Sequence, residues 1–296
     1  MFKGSIVALI TPFTNGKVNE DQLKELVEFQ IENGTSGIVP CGTTGESPTL
    51  DNDEHMKVIK ICIEASNKRV PIIAGTGSNS TAEAITLTQH AQDAGADGAL
   101  IVTPYYNKPT QKGLYLHFKA IAENTSIPII LYNIEGRTAR NIETETVAKL
   151  YKDCKNIIGV KEASGSLDQV KAVRKACGKD FIILSGDDAL TLSMMELGGA
   201  GVISVVANIV PNDVIAMVNA FNAGDKNAAY KIHAKLEPLV KSMFIETNPI
   251  PVKTAMGLLG LCSEELRLPL CAMDDANFEK LKTALQEYGL LKGQPA

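Results

Sequence analysis

Lys161 stands in the stretch IIGVKEASG, residues 157–165, directly behind residues that are apolar or glycine. A lysine at the inner end of a strand that otherwise reads as buried is poorly solvated, and poor solvation favours the neutral amine that can attack a carbonyl carbon. The competing possibility is a structural ion pair with Glu162 or Asp187. Successive strand residues face opposite sides, which disfavours Glu162, but spacing alone does not decide between nucleophile and ion pair. Tyr132 lies near the end of IPIILYN, and its phenol can pass protons to and from a nucleophile, or it can be a core tyrosine with a satisfied hydroxyl. In GTTGES, residues 42–47, Gly42 and Gly45 allow a tight turn, and the hydroxyls of Thr43 and Thr44 with nearby N–H groups can hold a carboxylate.

Such side chains need a frame that brings them together. Short β-rich apolar runs alternate with longer amphipathic segments, the pattern of parallel strands joined by crossover helices. Eight candidate strands begin at Ser5, Gly37, Val70, Gly98, Ile127, Ile157, Phe181 and Gly201, with helical patterns such as EDQLKELVEFQIENG between them. Glycines at Gly34, Gly95 and Gly198 mark helix ends. This count and spacing predict an α/β chain folded as a (β/α)8 TIM barrel over residues 1–224. After Asp225 three helical patterns follow, at about 225–243, 250–260 and 275–288, and predict a C-terminal helical region, 225–296, packed on the barrel as one folding unit. In a barrel the chemistry sits at the C-terminal ends of the strands. That rule collects Thr43, Thr44, Tyr105, Tyr106, Tyr132, Lys161 and Gly186.

Composition narrows the function further. The 296 residues carry a net charge of −5 without a basic stripe, which argues against nucleic acid as a partner. No apolar run approaches the roughly 20 residues of a membrane span, and the N-terminal MFKGSIVALITPF reads as a buried first strand of a cytoplasmic protein. The six cysteines are scattered without C-x-x-C spacing or nearby histidine pairs, so neither a disulfide framework nor a metal site is expected. GTGSNS at Gly75 lacks the third glycine and acidic partner of a dinucleotide turn. In SGDDAL, Asp187 and Asp188 would repel a phosphate, against a sugar-phosphate aldolase, and read as helix N-caps more readily than as magnesium ligands. His90, His117 and His233 fall on helical segments and receive no role.

GTTGES, VTPYYNKP, YNIEGRT, GVKEASG and ETNPIPVK occur in order along nearly the whole chain, and with them the sequence resembles the dihydrodipicolinate synthase family of pyruvate-dependent Schiff-base lyases. The resemblance implies condensation of pyruvate with L-aspartate 4-semialdehyde, the entry step of the diaminopimelate and lysine pathway, with no cofactor. It implies Lys161 as the imine-forming residue and Tyr132, Thr44 and Tyr106 as the proton relay, Tyr106 reaching in from a neighbouring subunit of a homo-oligomer, expected to be a homotetramer. Thr43 and Thr44 would hold the pyruvate carboxylate, Gly186 and Ile203 would belong to the substrate site, and Arg137 would bind the carboxylate of the aldehyde.

Family members usually carry proline where this chain has Glu135, and an acid two residues before Arg137 can compete for its guanidinium. Ser47, Pro48, His55, Asn79, Glu83 and Tyr105 match the positions that bind L-lysine as feedback inhibitor in the inhibited members, although Asn52 stands where strongly inhibited relatives have histidine. Ser80 with Glu83, and Asp51 with Glu54, also fit local helix-capping boxes. The rival functions are a sister aldolase acting on a sialic or keto-deoxy sugar acid, and a catalytically silent amino-acid sensor.

Overall fold

The computed structural model describes residues 2–292. Eight parallel strands, β1 (Gly4–Ala8), β2 (Gly37–Val39), β3 (Ile73–Gly75), β4 (Gly98–Val102), β5 (Ile129–Asn133), β6 (Ile157–Glu162), β7 (Ile182–Ser185) and β8 (Gly201–Ser204), form one sheet in the order β2-β1-β8-β7-β6-β5-β4-β3. The two ends of that order meet through a bridge between Ile38 and Ile72, with the Gly75 N–H donating to the Pro40 carbonyl at 3.0 Å. The sheet is therefore a closed (β/α)8 barrel. Its major helices are α1 (Glu20–Glu32), α2 (Asn52–Ser66), α3 (Thr81–Ala94), α4 (Gln111–Glu123), α5 (Thr144–Asp153), α6 (Leu167–Cys177), α7 (Thr191–Glu196) and α8 (Pro211–Asn222), one after each strand.

Alternation along the strands separates two cores. Ile6, Val39, Ile73, Leu100, Ile130, Tyr132, Leu184 and Ile203 fill the barrel interior as one apolar cluster. Their neighbours Ala99, Ile101, Leu131, Val160 and Ile183 face outward against α4, α5 and α6. Beyond the barrel, α9 (Lys226–Ser242), α10 (Ile250–Leu258) and α11 (Asp275–Tyr288) share a hydrophobic cluster with the barrel, joining Leu236, Val252 and Leu285 to Val7 and Val214.

The strands are shorter than their apolar runs suggest, and prolines explain most of the difference. Pro71 and Pro128 have no N–H to give to a ladder, so β3 and β5 begin at Ile73 and Ile129, and Pro40 follows the last residue of β2. The sequence reading also passed over a small hairpin, Phe13–Thr14 against Lys17–Val18. It turns on Asn15 and Gly16, both at positive φ (52° and 76°), the dipeptide such a turn favours.

Candidate active site

Lys161 and Tyr132 are paired in register across β5 and β6, near the C-terminal ends of both strands, so both side chains enter the barrel interior. Both are buried, and the Lys161 Nζ lies 4.2 Å from the centre of the Tyr132 ring. Neither acid expected to compete for the lysine does so. Glu162 faces away and accepts from Gln169 Nε2 at 2.9 Å, from the Ser164 N–H at 2.8 Å and from Asn133 Nδ2 at 3.1 Å. Asp187 caps the turn after β7, accepting the Ala189 N–H at 2.8 Å. Among the described residues Lys161 forms no ion pair. The geometry therefore sets aside the structural ion pair with Glu162 or Asp187.

Gly186 makes room for that amine. A Cβ at Gly186 would lie 2.6 Å from the Cβ of Ala163 and 3.0 Å from the Cε of Lys161. Ile203 is fully buried on β8, in the same barrel interior as Tyr132. Asp188 does not cap a helix as its neighbour does. Its buried carboxylate accepts the Val205 N–H at 2.9 Å and the Val206 N–H at 3.3 Å, holding the chain just after β8, and burial pushes its carboxyl pKa up.

The turn 42–47 is closed by its own backbone: Gly45 and Glu46 donate to the carbonyls of Gly42 and Thr43, both at 3.1 Å. Among the described residues the N–H groups of Thr43 and Thr44 have no protein acceptor, which leaves two donors beside two hydroxyls. Thr44 is buried, and its hydroxyl oxygen accepts from Asn248 Nδ2 at 3.1 Å, so its own proton is available to another acceptor.

Thr43 and Arg137 open on one cavity of about 410 Å³, together with Asn248, Thr247 and Pro249 from the C-terminal region. The Arg137 guanidinium donates to the Asn248 carbonyl at 3.0 Å, and among the described residues it forms no ion pair with Glu135, which is exposed. The cavity extends to Ser47, Pro48, His55, Glu83 and Tyr105. Asn79 is not on its wall, and the carbonyl of Asn79 accepts from Asn107 Nδ2 at 2.8 Å. Burial holds His55 down to about 4, so its imidazole is neutral. Burial, and then the carboxylate of Glu83, push the Tyr105 phenol up.

Ser80 caps α3 by accepting the Glu83 N–H at 3.4 Å, but the other half of the box is rerouted. The Ser80 N–H donates to Ser78 Oγ at 3.0 Å, and Ser78 donates to the Glu83 carboxylate. The Asp51–Glu54 box, by contrast, is complete. Tyr106 stands apart from the cavity, 88% exposed, with its backbone at φ 72°. The glycines of GTGSNS serve packing: a Cβ at Gly75 would lie 2.3 Å from the Cys41 carbonyl oxygen, and one at Gly77 would lie 2.4 Å from the Val102 nitrogen.

The sequence model of the dihydrodipicolinate synthetase family matches residues 1–288. The chain belongs to that family. It is 60% identical over 292 residues, 99% of this chain and 100% of the relative, to the 4-hydroxy-tetrahydrodipicolinate synthase of Endomicrobium trichonymphae. Among solved structures, the dihydrodipicolinate synthase of Aquifex aeolicus superposes with a TM-score of 0.97 at 52% identity, covering 99% of this chain and 100% of that one. The enzyme from Cyanidioschyzon merolae, solved with lysine bound, gives a TM-score of 0.95 at 41% identity and covers 98% and 99% of the two chains.

For this member of the dihydrodipicolinate synthetase family, sequence reasoning overlooked three residues at the site. Asn248 holds Thr44 and, through its carbonyl, Arg137; Glu46 and Lys253 form a fully buried ion pair at 2.5 Å beneath the 42–47 turn. All three lie in the motifs GTTGES and ETNPIPVK. Nothing local to either motif shows that the two meet.

Proposed function

We propose that this chain is a 4-hydroxy-tetrahydrodipicolinate synthase: it condenses pyruvate with L-aspartate 4-semialdehyde through a Schiff base at Lys161, the first committed step toward diaminopimelate and lysine. The observation that carries this reading is the buried Lys161 amine beside Tyr132, with the neighbouring acids engaged elsewhere, in a chain of this family. The amine of Lys161 adds to the keto carbon of pyruvate and water leaves. The protonated imine then accepts the electron pair released when a methyl proton is removed, and the resulting enamine carbon attacks the aldehyde. The amino group of the bound semialdehyde can take over the imine carbon, which frees Lys161 and closes the ring.

Tyr132, Thr44 and Tyr106 are assigned the proton transfers, Thr43 and Thr44 the pyruvate carboxylate, and Arg137 the carboxylate of the aldehyde substrate. Gly186 and Ile203 shape the wall around the imine. The open N–H groups of Thr43 and Thr44 and the cavity face of Arg137 support these assignments. The exposure of Tyr106 supports its reaching into a second subunit, and we infer a homotetramer acting in the cytoplasm. Residues 1–224 are taken as the catalytic barrel and 225–296 as a helical region packed on it; residues 1 and 293–296 of these spans lie outside the described residues.

L-Lysine is proposed as an effector at Ser47, Pro48, His55, Asn79, Glu83 and Tyr105. Five of these six line the cavity that also holds Thr43 and Arg137, and a relative has been solved with lysine bound. A carboxylate for the amino group and a phenol with backbone groups for the other end suit an amino acid.

Borohydride reduction in the presence of pyruvate, followed by peptide mass mapping, tests the reading. A pyruvate-derived adduct confined to Lys161 is expected. Folded, assembled protein that stays unmodified at Lys161 would exclude the mechanism, and faster turnover of a sugar aldehyde than of aspartate semialdehyde would reassign the second substrate.

A further inference from the structure

The turn that carries Thr43 and Thr44 ends on a residue in an uncommon conformation. Glu46 has φ 53°, in the left-handed region that residues bearing a Cβ seldom adopt. Its N–H closes the turn on the Thr43 carbonyl, so the shape of the threonine pair depends on Glu46 staying where it is. The carboxylate of Glu46 is anchored outside the barrel sequence: Oε1 accepts from the Lys253 ammonium at 2.5 Å, and Oε2 accepts the Arg267 N–H at 3.1 Å.

The side chains of Glu46 and Lys253 are both completely buried. Lys253 belongs to the first turn of α10, and its Nζ lies 4.0 Å from the centre of the Phe13 ring, which the Arg267 guanidinium also approaches, to 4.3 Å. Burial pulls the Lys253 ammonium down and Glu46 opposes that shift. Taking two charges out of water is costly enough that a buried pair often adds little to stability over an apolar pair of the same shape. What it does supply is a fixed distance and direction between two elements, here α10 and the turn after β2.

We propose that Glu46 and Lys253 are positioning residues for pyruvate: their buried pair fixes the 42–47 turn so that Thr43 and Thr44 receive the carboxylate. The proposal rests on the reading of Thr43 and Thr44 given above. It makes the C-terminal helical region part of substrate recognition, since the anchor of the turn lies 207 positions away in sequence. Disturbing the pair weakens the hold on pyruvate and leaves the aldehyde subsite at Arg137, which rests on the Asn248 carbonyl, in place.

The test is the pyruvate dependence of borohydride trapping at Lys161 in the full chain, with KM measured for both substrates. If the unaltered protein is not trapped at Lys161, the underlying reading fails and the proposal falls with it; if it is trapped, the variants judge the proposal alone. Glu46→Gln with Lys253→Met replaces both charges together, which avoids leaving one of them buried and unpaired. In the folded double variant the pyruvate concentration for half-trapping is expected to rise about ten-fold, with the semialdehyde KM within about two-fold of the original.

An unchanged pyruvate dependence, or an equal rise for both substrates, would overturn the proposal. Should the double variant fail to fold, Glu46→Asp keeps the charge and withdraws it by one methylene. A rise of about three-fold or more in half-trapping supports the proposal there, and no rise overturns it. Tyr288→Phe is the control for stability alone, because it removes a hydrogen bond from the last helix to Asp213 on α8, away from the 42–47 turn. It should lower the melting temperature without moving the pyruvate dependence; a matching rise would also overturn the proposal.

Discussion

A methyl group at position 186 is enough to crowd the Lys161 side chain. With Ala163 Cβ at 2.6 Å and Lys161 Cε at 3.0 Å from the place a Cβ would take, Gly186→Ala must displace the lysine stem or the wall behind it. Misplacing a reacting group by an ångström costs about 100-fold, so kcat/KM is expected to fall by about that factor with little change in secondary structure by circular dichroism. Activity within a few-fold of the original would mean that the stem slides aside freely. Lys161→Ala should abolish the adduct outright and reduce kcat by roughly three orders of magnitude or more, since among the described residues the other buried lysine, Lys253, is engaged by Glu46. At this scale the sequence was legible as to placement: Lys161 and Tyr132 lie near strand ends, and Thr43 and Thr44 lie in the turn between Gly42 and Gly45, where they were expected. Asn248 and Lys253 were not, because their partners Thr44 and Glu46 are 204 and 207 positions away and a hydrogen bond across that separation leaves no local pattern.

Between residues and barrel stands a network that locks β5 to β6. Asn133 and Glu162 sit opposite each other in register, one step beyond Tyr132 and Lys161 and facing the other way. Glu162 accepts from Asn133, Ser164 and Gln169, while Asn133 uses its own oxygen to accept the Ile142 N–H at 2.9 Å. Every partner of Glu162 is a donor, so Glu162→Gln sets an NH2 group against at least one of them. A loss of about 1–3 kcal/mol is expected in urea unfolding, the usual cost of a buried polar group left unpaired, and an unchanged midpoint would show that the network can rearrange. The strand pair itself was legible from its two apolar runs, IPIILYN and IIGVKE. Its polar outer end was not: alternation turns Glu162 away from Lys161, but it does not name Asn133, Ser164 and Gln169 as the partners it meets there. Prolines shortened β3 and β5 from their apolar runs for the reason a ladder needs N–H groups, a rule the sequence displays at Pro71 and Pro128 but which does not fix where pairing resumes.

For the whole molecule the recurrence of eight apolar runs was sufficient to expect a closed barrel, because only closure leaves no edge among that many parallel strands. Acid stability is also a property at this scale. His55 and His117 are buried and held down to about 4 by that burial, against an ordinary value of 6.5. The unfolded chain protonates both below 6.5 while the folded chain does not, so their contribution is complete above pH 6.5 and is lost as the pH falls toward 4. On the order of 1–2 kcal/mol per histidine should be missing at pH 5, and His117→Phe should lose less stability than the parent between pH 7.5 and 5.0 in urea unfolding; an equal loss would refute the assignment. Assembly is the other whole-molecule property, and Tyr106 offers a direct way to read it. If Tyr106 completes the site of a neighbour, a chain with Lys161→Ala and a chain with Tyr106→Phe are each inactive alone but complement each other when unfolded and refolded together. In a mixed pair, the Lys161 of one chain meets the intact Tyr106 of the other at one site, while the second site lacks both. Random pairing of equal amounts then restores roughly one quarter of the parental activity, the product of one half mixed pairs and one working site in two. If Tyr106 serves its own chain, no mixed pair contains a complete site, and the mixture stays as inactive as its components.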